Sequence, residues 1–406
     1  MYRNPGDLRP LTLKNADNKI AAGICNWLIT PVVQVAASVS QNGFTGGRQL
    51  GQNPIDLDFH ARKDVFDYMD TMHKYGVDYI SNLSVRRLGM LHSMPLLILF
   101  DFAAAFPSVA HTWIFTVFNH IHIPEGIFNL VQALYRENKA YMNTPHGLRF
   151  LFTVLSGVLQ GCPLSGSLFV IVIDPLLHIF RISLEDTALG RVRACADDIG
   201  VALKVFKAIT ILRDEFRVFK NVSGLTLKPS KCVMVITCVE TSDCNIRHIR
   251  RYLHKFCPEW SEMSIVNRAK YLGIFLGPKS GPVQWTKALA KFHDRICQIH
   301  MLRLPIHLAK SQFIVKALPV LGYLAQFVPP PVNITRIGLN AVIKVCRMAG
   351  NSLSHQTAFN LHLMGGPKFT NLTLYLQSCM LRSANKTFTG HAAQHRQLLS
   401  LSTEHN

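Results

Sequence analysis

The 406-residue chain is short of acid. Its 24 Asp and Glu stand against 43 Lys and Arg, for a formal net charge of +19. The deficit is uneven: from Arg251 onward 18 Lys and Arg face only Glu259, Glu262, Asp294 and Glu404, so +14 of the +19 falls there. A solubilising surface explains net charge but not its segregation, and the long-range field favours a polyanion, nucleic acid ahead of an acidic membrane. Charged residues of all kinds are also scarce, 17% against 49% hydrophobic, which excludes a disordered chain. The ten cysteines form no CxxC and no paired framework, and no signal peptide opens the chain, so reduced thiols in an intracellular protein are expected. The longest apolar runs, "MPLLILFDFAAAF" and "SLFVIVIDPLLHIF", are each broken by an Asp, and no membrane span is expected. Internal repeats, a low-complexity tail and a compact basic block are missing too. The length allows two or three domains.

Against that background, "RVRACADDIGVALKV" (191–205) sets two adjacent carboxylates, Asp197 and Asp198, inside an apolar, strand-like run. Buried carboxylates are costly unless compensated. "VRACA" and "IGVALKV" read as two short strands, which puts the pair at a hairpin turn, where Asp is tolerated. "PLLILFDF" reads as a buried strand ending in a third acid, Asp101. Together the three suit hard divalent cations, since Mg²⁺ needs only one or two protein carboxylates plus substrate phosphates. Two such ions stabilise attacking and leaving oxygens in phosphoryl transfer.

Helical spacing is expected in "PIDLDFHARKDVFDYMDTMHKYG", "VAHTWIFTVFNHIHI" and "PEGIFNLVQALYREN", the last with Pro124 near its first turn. "TVLSGVLQGCPLSGSLFVIVIDPLLHIF" reads as a Gly/Pro-rich turn running into a long apolar helix. "AITILRDEFRVFKNVSGLTLK" reads as a helix ending near Gly224. "CVMVITCV" and "AKYLGIFLG" read as two more strands. The basic remainder reads as helical, interrupted by Pro329-Pro330-Pro331.

Seven ordered blocks resemble the reverse transcriptase domain of non-LTR (LINE-type) retrotransposons. "LRPLTLKNADNKIAAGICNWL" (8–28) and "NGFTGGRQLGQNPIDLD" (42–58) resemble its fingers blocks. "LILFDFAAAFPSV" (97–109) resembles the first palm motif, and "SGVLQGCPLSGSLFVIVIDPL" (156–176) the Gly-x-x-Gln-Gly-x-Pro-Leu-Ser motif. "CADDIGVAL" (195–203) resembles the Ala-Asp-Asp motif, "GLTLKPSKC" (224–232) the Leu-x-x-x-Lys motif and "AKYLGIFLG" (269–277) the primer-grip strand.

The resemblance implies an α+β, right-hand polymerase architecture. Fingers would occupy 1–95, a palm with an antiparallel sheet 96–278 (including a finger-like helical insertion at about 118–155), and a helical basic thumb 279–406. It implies an RNA-directed DNA polymerase working with two Mg²⁺ ions, or Mn²⁺, on an RNA template, a DNA primer and deoxynucleoside triphosphates, in the nucleus and without a membrane. Asp101, Asp197 and Asp198 would hold the metals with help from the Phe102 carbonyl. Lys231 would support the leaving pyrophosphate, and Arg9 and Lys19 would approach the triphosphate. Phe106 would exclude a 2′-hydroxyl, and Gln160 and Gly161 would line the pocket for the template base and incoming nucleotide.

The sequence departs from the family at Cys195, where an aromatic is usual, at Leu159, usually polar or basic, and at Gly166, often Pro. These departures, and a chain that starts almost on the first fingers block without an endonuclease, point to a fragment of a mobile element. They also leave a second reading, a catalytically weak or inactive RNA-binding copy. A carboxylate-metal phosphodiesterase is a third, but it has no use for the QGCPLS block or Phe106. Cys244, His248, His254 and Cys257 in "CNIRHIRRYLHKFC" have zinc-like spacing. The spacing of Ile246, Ile249, Leu253 and Phe256, however, is that of one amphipathic helix, which cannot wrap four ligands around one ion.

Overall fold

The computed structural model describes residues 15–74 and 88–386. It divides into two compact units, Met1–Asn267 and Arg268–Asn406. The first unit opens with helices α1 (Ala16–Ala36), α2 (Gln52–Lys74) and α3 (Leu88–Ser93), then strand β1 (Leu96–Phe100). Helices α4 (Ala105–Ser108), α5 (His111–His120) and α6 (Glu125–Tyr135) lead to the hairpin β2 (Lys139–Thr144) and β3 (Gly147–Thr153). Helix α7 (Ser165–Phe180) continues through a π turn (Arg181–Glu185) into β4 (Gly190–Cys195) and β5 (Asp198–Leu203). The unit closes with α8 (Ile209–Ser223), β6 (Val233–Ile236), α9 (Asp243–Phe256) and β7 (Ser264–Val266).

The central sheet runs β4-β5-β1-β6-β7, antiparallel except for the parallel β6–β7 pair. All five residues of β1 are buried. Leu96, Ile98 and Phe100 enter the main core, where the Phe100 ring lies 4.8 Å from Phe216 and 5.3 Å from Trp260. Leu97 and Leu99 are buried on the opposite face. A strand enclosed on both sides reads as a continuous apolar run, as "LLILF" does. Helix α8 ends where Gly224 adopts the left-handed conformation (φ 78°) and donates its N–H to Lys220 O; a Cβ there would lie 2.5 Å from Ser108 O.

Three expectations need correcting. Residues 118–155 are helical only in part: α5 and α6 are followed by the β2–β3 hairpin. "AKYLGIFLG" is two short strands, β8 (Ala269–Tyr271) and β9 (Ile274–Leu276), folded back at Leu272 and Gly273, which have φ of 45° and 91°. This hairpin clusters with the second unit, which begins at Arg268. Finally, helices spanning Ala16–Ala36 and Ser165–Glu185 are long and apolar enough to cross a bilayer by length and composition. In α7 one aspartate does not undo a run of that hydropathy, because Asp174 is accommodated inside the fold: its carboxylate accepts the Ser38 N–H at 2.6 Å. Most of that helix is buried, whereas α1 leaves one side open, with Trp27, Val32 and Val35 exposed.

The second unit is helical after β9: α10 (Thr286–Met301), α11 (Ile306–Gln312), α12 (Leu318–Gly322), α13 (Ile334–Val345), α14 (His355–Phe359) and α15 (Leu372–Lys386). The triple proline lies between α12 and α13, and Pro329 O accepts the Trp285 indole N–H at 2.9 Å.

In the first unit an ionic network joins α2 to β4. Arg193 donates to Asp56 (2.8 Å) and Glu185 (3.2 Å), while Glu185 also accepts from Arg191 and from the Val192 N–H. Beside it burial, then Arg191 and Arg193, lowers the His60 pKa to about 4, and burial raises that of Asp64 to about 6. The lowered His60 value means that its contribution to stability is complete above about 6.5 and is lost as the pH falls toward 4. Asp64 works in the opposite sense: its cost is full above about 6 and disappears on acidification. Thermal melts between these limits are expected to show a flatter acid loss for His60→Gln and a steeper one for Asp64→Asn; unchanged slopes would contradict both assignments.

Candidate active site

The sheet register decides where the acids meet. Phe100 pairs with Ile199 and Cys195 with Asp198, so Asp101 follows β1 at the sheet end where the Ala196–Asp197 turn joins β4 to β5. Asp101 and Asp197 are half-buried and Asp198 is exposed. The carboxylates therefore sit at the open end of an otherwise dry sheet, where hydration offsets their charge.

Two loops brace this end. After β1, Phe102 bridges Leu227, and the Ala103 N–H donates to Thr226 O at 2.8 Å. The Lys228 N–H donates to Asp101 O at 2.9 Å, and Lys228 O accepts from Lys231 and Cys232, forming the tight turn on which Lys231 is exposed. Cys232 is fully buried, and its Sγ accepts the Asp101 N–H at 3.4 Å.

The second brace comes from the loop after α1 and was not foreseen from the sequence. Ala194 exchanges backbone hydrogen bonds with Ser40 O and the Asn42 N–H, which adds residues 40–42 to the edge of β4. Gln41 is completely buried, and its Oε1 accepts the N–H groups of Gly43 and Ala196, both at 2.8 Å. Ala196 has φ 56°, so this clamp holds a turn that most residues avoid. Gly43 is required beside it: a Cβ would lie 2.4 Å from the Ala196 nitrogen. Arg48 was also missed. Its guanidinium donates to the carbonyls of Gln34, Ala37, Ser38 and Gln41 and ties the end of α1 to the loop. Glutamine and arginine in a Gly-rich stretch carry no periodic signal; only the tertiary fold gives them these partners.

Phe106 is half-buried. Its ring stacks on buried Phe169 (4.4 Å, 16°) and meets Phe44 edge-on at 6.2 Å. Phe44 is exposed, has φ 54° and lies over Gly166, where a Cβ would come 2.8 Å from its ring. The Gln160–Gly161 turn is fixed from below. Val158 N–H donates to Phe106 O (2.7 Å), and the Ser165 hydroxyl donates to Leu159 O (2.5 Å). Gly161 has φ 98° and is exposed. Lys19 is exposed on the first turn of α1, a helix packed on α7 through the Ser167–Asn26 hydrogen bond. Arg9 lies outside the described residues.

Cys195 stands where the family resemblance leads one to expect an aromatic. Burial, then Asp198 and Asp197, pushes its pKa up to about 12, so it is a neutral thiol beside the acids. Of the zinc-like residues, Cys244, His248 and His254 lie along a single helix, α9, and Cys257 directly follows it; His248 Nδ1 faces Cys244 O at 2.8 Å. Among the described residues no group of three or more His, Cys, Asp or Glu is gathered tightly enough to hold an ion by itself. The all-oxygen donors at the sheet end still fit Mg²⁺, which completes its shell with water and substrate phosphates.

Gln41→Ala leaves two buried N–H groups without an acceptor. It is expected to cost about 2 kcal/mol or more and to lower the Tm by roughly 5 °C. Gln41→Glu keeps an acceptor for both groups but buries a carboxylate beside Asp197 and Asp198, so in the same melting assay it is expected to be destabilised at neutral pH and to regain stability as the pH falls and the side chain is protonated.

The family described as reverse transcriptase (RNA-dependent DNA polymerase) matches residues 3–276. Over 178 residues the chain is 27% identical to the Retrovirus-related Pol polyprotein from type-2 retrotransposable element R2DM of Drosophila melanogaster, covering 43% of this chain and 17% of that protein. Telomerase from Candida tropicalis in complex with a TWJ fragment of telomeric RNA aligns with 95% of this chain and 56% of its own (TM-score 0.46, 12% identity). The apo telomerase of that organism aligns with 95% of this chain and 61% of its own (TM-score 0.45, 11% identity). The chain thus spans less than two thirds of each of these proteins. On the family match over residues 3–276, the chain belongs to the reverse transcriptase family.

Proposed function

We propose that this domain is an RNA-directed DNA polymerase that transfers deoxynucleotides to a primer in a two-metal reaction. The primer 3′-hydroxyl attacks the α-phosphate of a deoxynucleoside triphosphate, the bond to the β-phosphate breaks, and pyrophosphate leaves. The observation that carries this reading is the meeting of Asp101 with the Asp197–Asp198 turn at the open end of the sheet, in a chain of this family. Asp101, Asp197 and Asp198, with the Phe102 carbonyl, would hold two Mg²⁺ ions. When bound, these supply positive charge against the attacking and leaving oxygens.

The chain's own residues account for the remainder. Lys231, exposed on a turn bonded to the Asp101 backbone, provides a cation for the departing pyrophosphate. Phe106, backed by Phe169, presents a wall against a 2′-hydroxyl. The exposed Gly161 lets the template base and nucleotide approach the backbone beside Gln160. Lys19 and Arg9 are assigned to the triphosphate by family resemblance. In this reading residues 1–95 act as fingers, 96–278 as palm and the basic remainder as thumb, within a fragment of a nuclear retrotransposon polyprotein.

Primer extension on an RNA template with deoxynucleotides and Mg²⁺ or Mn²⁺ tests the proposal. The wild type is expected to extend, and Asp197→Asn and Asp101→Asn to lose on the order of a hundredfold or more in rate. No extension by the wild type, with salt-sensitive RNA binding intact, would replace this reading with that of an inactive RNA-binding copy.

A further inference from the structure

Nothing among the described residues covers the apolar side chains of the β2–β3 hairpin. Among the described residues none from Lys139 to Phe152 belongs to the core, and Tyr141, Met142, Leu148, Phe150, Leu151 and Phe152 are all exposed. A two-stranded ribbon is marginal in water by itself, and one apolar on both faces marks an interaction surface. Its chemistry narrows the partner. Tyr141 and Phe150 are cross-strand neighbours with ring centroids 5.9 Å apart, and the next pair, on the other face, is Met142 with Arg149. Lys139 and Arg149 are its cations, and no acid occurs anywhere between Asn138 and Ile173. Exposed rings among cations, with acids excluded, are the composition that binds a single nucleic-acid strand, because every base has a face to stack and a phosphate to neutralise.

The ribbon is also continuous with the site. Val154 N–H donates to Asn138 O at 2.7 Å, which closes its base. Ser156 then bridges Ala110, and Gly157 N–H donates to Val109 O just before the Gln160–Gly161 turn.

We propose that the β2–β3 hairpin is a stacking platform for the single-stranded template on its way to the Gln160–Gly161 turn. This rests on the polymerase reading for the identity of the strand, but the platform is tested separately. Anisotropy of a fluorescein-labelled single-stranded oligoribonucleotide is measured with the full chain, with the Tyr141→Ser/Phe150→Ser double variant and with Arg149→Glu. Circular dichroism is expected to be unchanged in both variants. Each ring removed is expected to weaken binding about tenfold, and Arg149→Glu to weaken it and reduce its salt dependence, while binding of a blunt RNA–DNA hybrid stays close to that of the wild type. Oligonucleotide affinity unchanged in both variants would overturn the proposal. So would variants that keep that affinity but lose self-association or binding to phosphatidylserine vesicles, since the ribbon would then be a protein or lipid surface.

If the double variant misfolds, photocrosslinking of the wild type to a 5-iodouridine strand decides. Adducts at Tyr141 or Phe150 support the platform, and adducts confined to other residues reject it. Loss of affinity in the ring variant of a protein that extends no primer would support the platform and reject the polymerase reading.

Discussion

A strand buried on both faces accepts charge only where it stops, and the site depends on that constraint. Leu96–Phe100 leaves no room for a carboxylate, so Asp101 falls at the first position where water returns. The antiparallel register then brings the Ala196–Asp197 turn to the same edge, because Phe100 pairs with Ile199 and β5 begins at Asp198. The acids therefore gather where packing ends rather than through attraction to one another. In the proposed reaction, cations would offset their mutual repulsion.

The geometry of that edge is then maintained by groups with no charge of their own. Buried Gln41 fixes the left-handed Ala196, and the segment that follows Asp101 is stitched to residues 226–228 by backbone hydrogen bonds. An amide side chain suits this position because it accepts two N–H groups and adds no charge beside Asp197 and Asp198. Buried Cys232 supplies a weak acceptor to the Asp101 N–H on the same principle.

Much of this was legible in the sequence, and the reason differs by element. Strands β1, β4 and β5 and helices α2, α5, α6, α7, α8 and α9 announce themselves by run length, period and caps, and the acids by their interruption of apolar runs. The β2–β3 hairpin was missed because its apolar residues face water on both sides, so no period of two marks an inner face. Helix α1 continues to Ala36 through Pro31 and "VVQVA", a β-branched stretch with little helical signature of its own. The turn at Leu272–Gly273 divides "AKYLGIFLG" where its apolar pattern reads as one unbroken strand. Gln41 and Arg48 lay beyond reach because a buried hydrogen bond between distant segments leaves no local pattern.

Phe44 fills the space over Gly166. The ring lies 2.8 Å from where a β-carbon at 166 would stand, so any larger residue there requires the exposed Phe44 side chain to shift. The family resemblance leads one to expect a proline there. A proline at 166 would need the Phe44 ring to move aside. The glycine at 166 and the phenylalanine at 44, far apart in the chain, thus share one volume.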